Sequence, residues 1–567
     1  MNNKKKDISF LILAIVIILL VNIITGFTFK RFDLTSDNRY SLSPATKNIL
    51  KNLDDLIYIK VYLEGDFPAG SEGFVKLHNA AKEMLDEFHY YANGNLEYEF
   101  VDPFKETSNP KAQYAIIRQL QDKGLYCTTL KVNTDNGVSQ KNIIPGALVN
   151  YKGRELPLQI LQTQIGTDPE VVLNNSIQAL EYNLSSVIRN LTVNQKPKIT
   201  FIEGHGELAE IQVADITSSL QEYYQVDRVK IDGQLHALEK YKAIIIAKPD
   251  SAFDEKDKFV IDQFIMNGGK VLWCIDNIAA NMDSLSTHDE TYGIPMDLNL
   301  DDQLFKYGVR INSNLLLDIY SIKIPMVVGT SGNQPQIEMF PWFFFPLIFS
   351  NSNHPIVNNL NAIRTEFVSS MDTVESKGIK KTILLKTSNY CRIINSPVRI
   401  NLELARHEPK EGDFIDKYLP IAVLLEGEFQ SNFKNRVPET IQNSKEIGFK
   451  EKSTATKMIV IADGDILKNQ IRKTQGKLEA EPLGYDKYTH ETYGNKNFIL
   501  NAVNYLLDES GLIVSRSKEL KLRLLDATRA KEEKIKWQAV NTALPILLVI
   551  VLGISLNFLR KRKFSKI

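Results

Sequence analysis

Cysteine is scarce: Cys127, Cys274 and Cys391 are the only three in 567 residues, far apart and with no CxxC pair. That spacing defines neither a structural zinc site nor a disulfide framework. Net charge is missing too, since 68 lysines and arginines balance 68 aspartates and glutamates. The basic footprint of a nucleic-acid binder is therefore absent. Nowhere does the chain carry G-x-x-x-x-G-K-[ST], which excludes a P-loop ATPase. Gly268-Gly269-Lys270 follows a helical pattern, not a strand, and no Ser or Thr comes next. Apart from the two ends, no run is long and apolar enough to cross a bilayer, and two spans are too few for a conventional permease. What is present, 43% hydrophobic and 24% charged residues, is the composition of a folded chain of two to four domains.

The ends carry the clearest signal. Ile8 to Phe29 contains no charge and follows Lys4-Lys5-Lys6. A helix of that length spans the roughly 30 Å hydrocarbon layer. Lys30-Arg31-Phe32 offers no small-x-small cleavage site, which favours an uncleaved anchor over a signal peptide. A second span over 539–559 closes on Arg560-Lys561-Arg562-Lys563, with Pro545 placed in its first turn. Cations outside both spans put both termini in the cytoplasm and the large domain in the periplasm of an inner-membrane protein.

Between the anchors the expected fold class is α/β. Leu56–Leu63 alternates like a strand, Phe74–Tyr91 carries a helical apolar stripe, and Leu96–Val101 is again strand-like. This βαβ unit predicts a thioredoxin-like domain over 30–195, but Glu64–Ser71 lacks the redox dithiol, so it is a non-catalytic scaffold. From Lys196-Pro197 onward, strands at 198–202, 226–229, 243–247 and 271–275 alternate with helices, one of them stopped by Gly268-Gly269. The pattern predicts a doubly wound, flavodoxin- or amidotransferase-like parallel sheet over 196–279, resumed at 456–510 after an insertion of 280–455. Within the insertion, Phe340–Phe349 is either a core strand or a partner- or membrane-facing patch. Residues 511–538 form a juxtamembrane stalk, with Leu520, Leu524 and Ala527 on one helical face.

Ligands of an open parallel sheet bind beyond the carboxyl ends of its strands. Glu203, His205 and Glu207 emerge there, and Asp276, Asp463 and Asp465 emerge along the same edge. Such groups suit ligand binding, metal binding or acid–base work; equally, they suit a polar loop that caps the next helix. Cys274 sits in an apolar run without a glycine elbow, as a core thiol does and a nucleophile does not. The pattern calls for no catalytic residue, cofactor or metal.

Several segments carry a family resemblance. They are Arg31-Phe32-Asp33-Leu34-Thr35 with Arg39-Tyr40-Ser41-Leu42-Ser43 and Thr46, the Glu203-Gly204-His205-Gly206-Glu207 loop, Ala422–Ser431, and Asn501–Leu506 before the last span. In this order they resemble the GldG family of gliding-motility-associated ABC-transporter auxiliary proteins of Bacteroidetes. The resemblance implies a non-enzymatic auxiliary or substrate-binding subunit, partnered by a GldF-like permease and a GldA-like ATPase. It further implies a scaffolding module related to one in an intraflagellar transport protein, and supplies no catalytic residues. Two other functions fit the same sequence: a solute receptor closing two lobes on a ligand, and a hydrolase at the Glu203-His205-Glu207 edge.

Overall fold

The computed structural model describes residues 11–20, 41–517 and 533–564, except positions 66, 68–70, 108, 135–136, 164–166, 194, 287, 289, 332–333, 351, 407–408, 410–411 and 475. Met1–Lys518 is one compact unit and Glu519–Ile567 a second.

In the first unit, α1 (Pro44–Lys51) is opened by Ser43, whose side chain accepts from the Thr46 amide. Strand β1 (Ile57–Val61), helix α2 (Glu72–Tyr91) and strand β2 (Leu96–Phe100) form the expected βαβ unit, and β1 and β2 are parallel. Strands β3 (Gly146–Tyr151) and β4 (Arg154–Gln159) then add antiparallel, giving the order β2-β1-β3-β4. Helix α3 (Pro169–Thr192) covers this sheet, burying Leu180, Leu184 and Ile188 against Ile57, Ile59 and Val149. Asp168 caps α3 by accepting from the Glu170 amide at 2.8 Å. Asp168→Ala is expected to cost about 1 kcal/mol, the usual worth of an N-cap, seen as a lower urea midpoint with the slope unchanged.

The remainder of the unit is built on a seven-stranded sheet. Its parallel part comprises β5 (Lys198–Glu203), β6 (Gln225–Lys230), β7 (Ala243–Ala247) and β8 (Lys270–Cys274), with α4 (Ala214–Gln221) and α5 (Glu255–Met266) as crossovers. Gly268, at φ +89°, ends α5, its amide donating to Ile265. The chain then passes through α6 (Asp301–Tyr307) and the long hairpin of β9 (Ser321–Ser331) and β10 (Gln334–Ile348). It returns as β11 (Ile379–Lys386), β12 (Pro420–Gly427) and β13 (Thr456–Ile461), followed by α7 (Asn495–Leu507). The order across the sheet is β11-β12-β13-β8-β7-β5-β6, with β11 and β12 antiparallel to their neighbours.

Side-chain alternation explains why β7 is purely apolar. Ala243, Ile245 and Ala247 pack into one core, whereas Ile244 and Ile246 pack into another on the opposite face. Ile459 and Ile461 of β13 likewise join the first core, and Met458 and Val460 the second. Each of these isoleucine, valine and methionine side chains contributes about 1.5–3 kcal/mol when fully buried, which favours apolar residues along a strand covered on both faces.

The segment 280–455 does not stand apart as an insertion, because β11 and β12 complete the sheet itself. The Phe340–Phe349 question also closes: Trp342, Phe343, Phe344 and Phe345 are all buried, while Phe349 is exposed. Consecutive burial means β10 is covered on both faces here, which is a core strand.

At the chain ends, Leu11–Leu20 is an apolar helix, and the rest of the expected first span lies outside the described residues. In the second unit, α8 (Lys534–Phe564) has one stretch, Lys534–Leu559, long and apolar enough to cross a membrane. Because α8 starts earlier than expected, Pro545 lies in its interior and not in its first turn. Apolar spans tolerate that placement better than soluble helices do. Of the expected stalk, Leu512–Ser517 is a 3₁₀ turn and 518–532 lie outside the described residues.

Candidate functional site

Strand order reverses at β5, which has β6 on one side and β7 on the other; a crevice beyond the carboxyl ends is expected there. The loops after β5, β7, β8 and β13 supply its side chains. They separate into two groups.

The first group surrounds His205. Its imidazole Nδ1 lies 3.2 Å from Glu207 Oε1 and its Nε2 lies 3.1 Å from Asp257 Oδ2. The ring stacks on Phe253 at 3.7 Å between centroids, and its own backbone carbonyl accepts from the Asp250 and Ser251 amides. Burial alone would lower the imidazole pKa, but Glu207 and Asp257 outweigh it and hold it above its ordinary value. Asp257 also accepts from the Gly233 amide, fixing the far side of the clamp. Glycine is required next to the histidine: Gly206 has φ +73°, and an added Cβ would lie 1.6 Å from Asp250 Oδ1. Glu203 faces elsewhere, paired with Arg228 of the neighbouring strand at 2.5 Å.

The second group centres on Lys248, which sits at φ +53° directly after β7. Its ammonium bonds Asp276 at 2.8 Å and also Asp465. Asp465 is further paired with Lys468 at 3.3 Å. Asp463 accepts from the Glu366 amide at 3.0 Å and the Ile466 amide at 3.2 Å. Burial would lower the lysine pKa, yet the carboxylates of Asp276 and Asp465 raise it. Among the acids, burial and the other two carboxylates push Asp463 well up, and burial raises Asp276 against the pull of Lys248. Asp465 stays low despite burial, because Lys248 and Lys468 neutralise it. Asp276, Asp463 and Asp465 are close enough to share a cation, their ligand atoms lying within 4.8 Å of one another. The positive charge among them is the chain's own Lys248.

The expected constellation thus does not converge: Glu203 pairs with Arg228, His205 and Glu207 with Asp257, and Asp463 and Asp465 belong to the lysine group. Residues 363–370 seal the β13 side of the edge. The Ser369 amide donates to Ala462, the Glu366 amide to Asp463, and buried Arg364 pairs with Glu366 and lies 3.7 Å from Asp486. Both ring nitrogens of His205 are occupied by carboxylates, so the ring has no nitrogen free to activate a nucleophile. Cys274, fully buried in β8, has its thiol pushed well up by burial. Lys248 and Asp257 are the partners the sequence reading missed. Lys248 had a visible signal, its position immediately after an apolar strand; Asp257, inside the first turn of α5, had none.

Fold and site together define an α/β protein whose charged sheet edge is satisfied from within. The family model described as "ABC-type uncharacterized transport system" matches residues 196–502, more than half of the chain, and the protein belongs to that family. It is an auxiliary component of an ABC transporter, associated with that transporter's membrane components. A domain of unknown function, DUF7088, matches residues 36–150. An uncharacterized protein of Borreliella burgdorferi is 22% identical over 582 residues, covering 99% of this chain and 100% of its own. A solved mmIFT52 N-terminal domain aligns over 55% of this chain and 96% of its own at 12% identity, with a TM-score of 0.30, too low to carry an argument.

Proposed function

We propose that this chain is a non-catalytic, GldG-like scaffold subunit of an ABC transporter linked to gliding motility. It is anchored in the inner membrane by spans at both ends, with both termini cytoplasmic and 34–536 periplasmic. Its partners are a GldF-like permease and a GldA-like ATPase. The observation that carries the scaffold reading is the closed sheet edge: the acids of its two groups bond a cation or a backbone amide of the same chain, and residues 363–370 seal its β13 side. An enzyme or receptor built on this sheet would leave that edge open. We read the two bodies as a thioredoxin-like domain without its dithiol and a flavodoxin-like domain. The order β2-β1-β3-β4 supports the first, and β6-β5-β7-β8-β13, with its reversal at β5, supports the second.

Site-directed labelling tests the arrangement. In a Cys127→Ser background, where Cys274 and Cys391 are buried, Lys477→Cys lies on an exposed hairpin strand. A membrane-impermeant maleimide is expected to label it in cells permeabilised only at the outer membrane, while Lys561→Cys reacts only after the inner membrane is opened. Protection of Lys477→Cys in cells permeabilised only at the outer membrane would refute the orientation. Failure of the permease and ATPase to co-purify with the full chain would refute the partnership.

A further inference from the structure

We propose that the seam between α3 and α7 is a binding site for a small oxyanion, a carboxylate or phosphate, held by Arg516 and Asn183. A cavity of about 210 Å³ lies there, lined by β4 and α3 on one side and by α7 and Arg516 on the other. That volume is below the roughly 300 Å³ at which drug-sized pockets begin, and it suits a ligand of a few heavy atoms.

The charge balance of the cavity is what calls for an anion. Arg516 donates from Nη1 to Asn501 Oδ1 at 2.7 Å and from Nη2 to the Asn358 carbonyl at 2.9 Å. Its guanidinium also lies 5.3 Å from the centre of the Tyr182 ring. All three partners are neutral, and among the described residues no carboxylate pairs with this arginine. Arg516 is half-buried, and a cation drawn partly out of water is ordinarily paired with an anion, which neutral contacts replace only in part. The same burial pulls the guanidinium pKa below its ordinary value.

A second group in the cavity points the same way. Asn183 Nδ2 is buried and donates to no group among the described residues, an unfavourable state for a buried donor. Two acceptors nearby are already used: Asn501 Oδ1 takes Arg516, and Asn504 Oδ1 takes the Tyr224 hydroxyl at 2.6 Å. The lining thus offers a cation without a carboxylate partner and an idle donor, which favours an acceptor-only, negatively charged guest. Such a guest would touch both the first α/β body and α7. It would also fasten Arg516, three positions before the second unit begins at Glu519. The site stands on these contacts alone and does not depend on the transporter partners.

Thermal unfolding of the full-length protein in detergent tests this, with sodium phosphate, malonate and chloride compared at one ionic strength. Phosphate or malonate is expected to raise Tm saturably, by about 2 °C or more at a hundredfold excess over its Kd, and chloride is not. Which of the two acts identifies the oxyanion. Asn183→Asp supplies a carboxylate in the same cavity, and Asn183→Leu removes the donor and fills the space; each should weaken the response at least tenfold. The proposal is overturned if wild type answers both oxyanions no more than chloride, or if the response persists undiminished in the Asn183 variants.

Discussion

Replacing Lys248 by methionine is expected to cost about 3–5 kcal/mol, among the largest single-residue effects in the molecule. Methionine keeps most of the stem but removes the one cation shared by Asp276 and Asp465, leaving three buried carboxylates, Asp463 included, within 4.8 Å of one another. Removing one partner of a buried ion pair is far more damaging than never having built it. The pH dependence identifies the cause. In wild type the Asp465 carboxyl is held low, so its contribution exists above the unfolded value near 3.9 and is lost as pH falls through the folded one. In the variant Asp465 joins Asp276 and Asp463, which burial already holds high in wild type; the stability tied to such raised groups is fully present below about 3.9 and lost as pH rises through their folded values. The two stability curves should therefore converge in acid and separate toward neutrality. Urea unfolding at a series of pH values reads this directly, and a gap that stays constant between pH 4 and 8 would rule out the electrostatic account.

How much of this was legible beforehand depends on whether the signal was local. The strand over Ala243–Ala247 announced itself because both faces of β7 are covered, so no polar residue interrupts it. The stop at Gly268-Gly269 was equally plain, since the turn needs a positive φ that glycine takes without strain. The βαβ unit at 57–100 was readable within two residues at each boundary. Sheet membership was not readable for β11 and β12: antiparallel pairing across long connections leaves no mark in local periodicity. The Phe340–Phe349 run could not be placed either, because an apolar strand facing two cores and one facing a membrane have the same composition. At the sheet edge the residue types were correct and their partnerships were not. Sequence put Glu203, His205 and Glu207 in one loop, but side chains two apart in an extended segment point in the same direction only while it remains a strand. Gly204, at φ +122°, turns the chain, sending Glu203 to Arg228 and His205 down to Asp257.

That turn makes His205 a structural cation, and His205→Ala is expected to destabilise the protein by about 3–4 kcal/mol while leaving any surviving folded molecules able to join their partners. The sequence alone left this residue as either a ligand-binding group or part of a polar capping loop. The structure places its ring between Glu207 and Asp257, whose side chains are 2% and 9% exposed, so truncation strands two acids beside a hole once filled against Phe253. Sign matters for the test. The folded pKa of the imidazole is raised above the unfolded value near 6.5 by its two carboxylates against burial, so its stabilisation is complete below pH 6.5. It is lost as pH rises through the folded value. Wild type should therefore lose stability in that rising window, and the alanine variant, which has no imidazole to titrate, should not lose this increment. Unfolding midpoints at pH 6, 7, 8 and 9 should show the difference between the two proteins greatest at pH 6 and shrinking upward. A difference equal at all four pH values would mean the ring acts by packing alone, and the charged clamp would have to be abandoned.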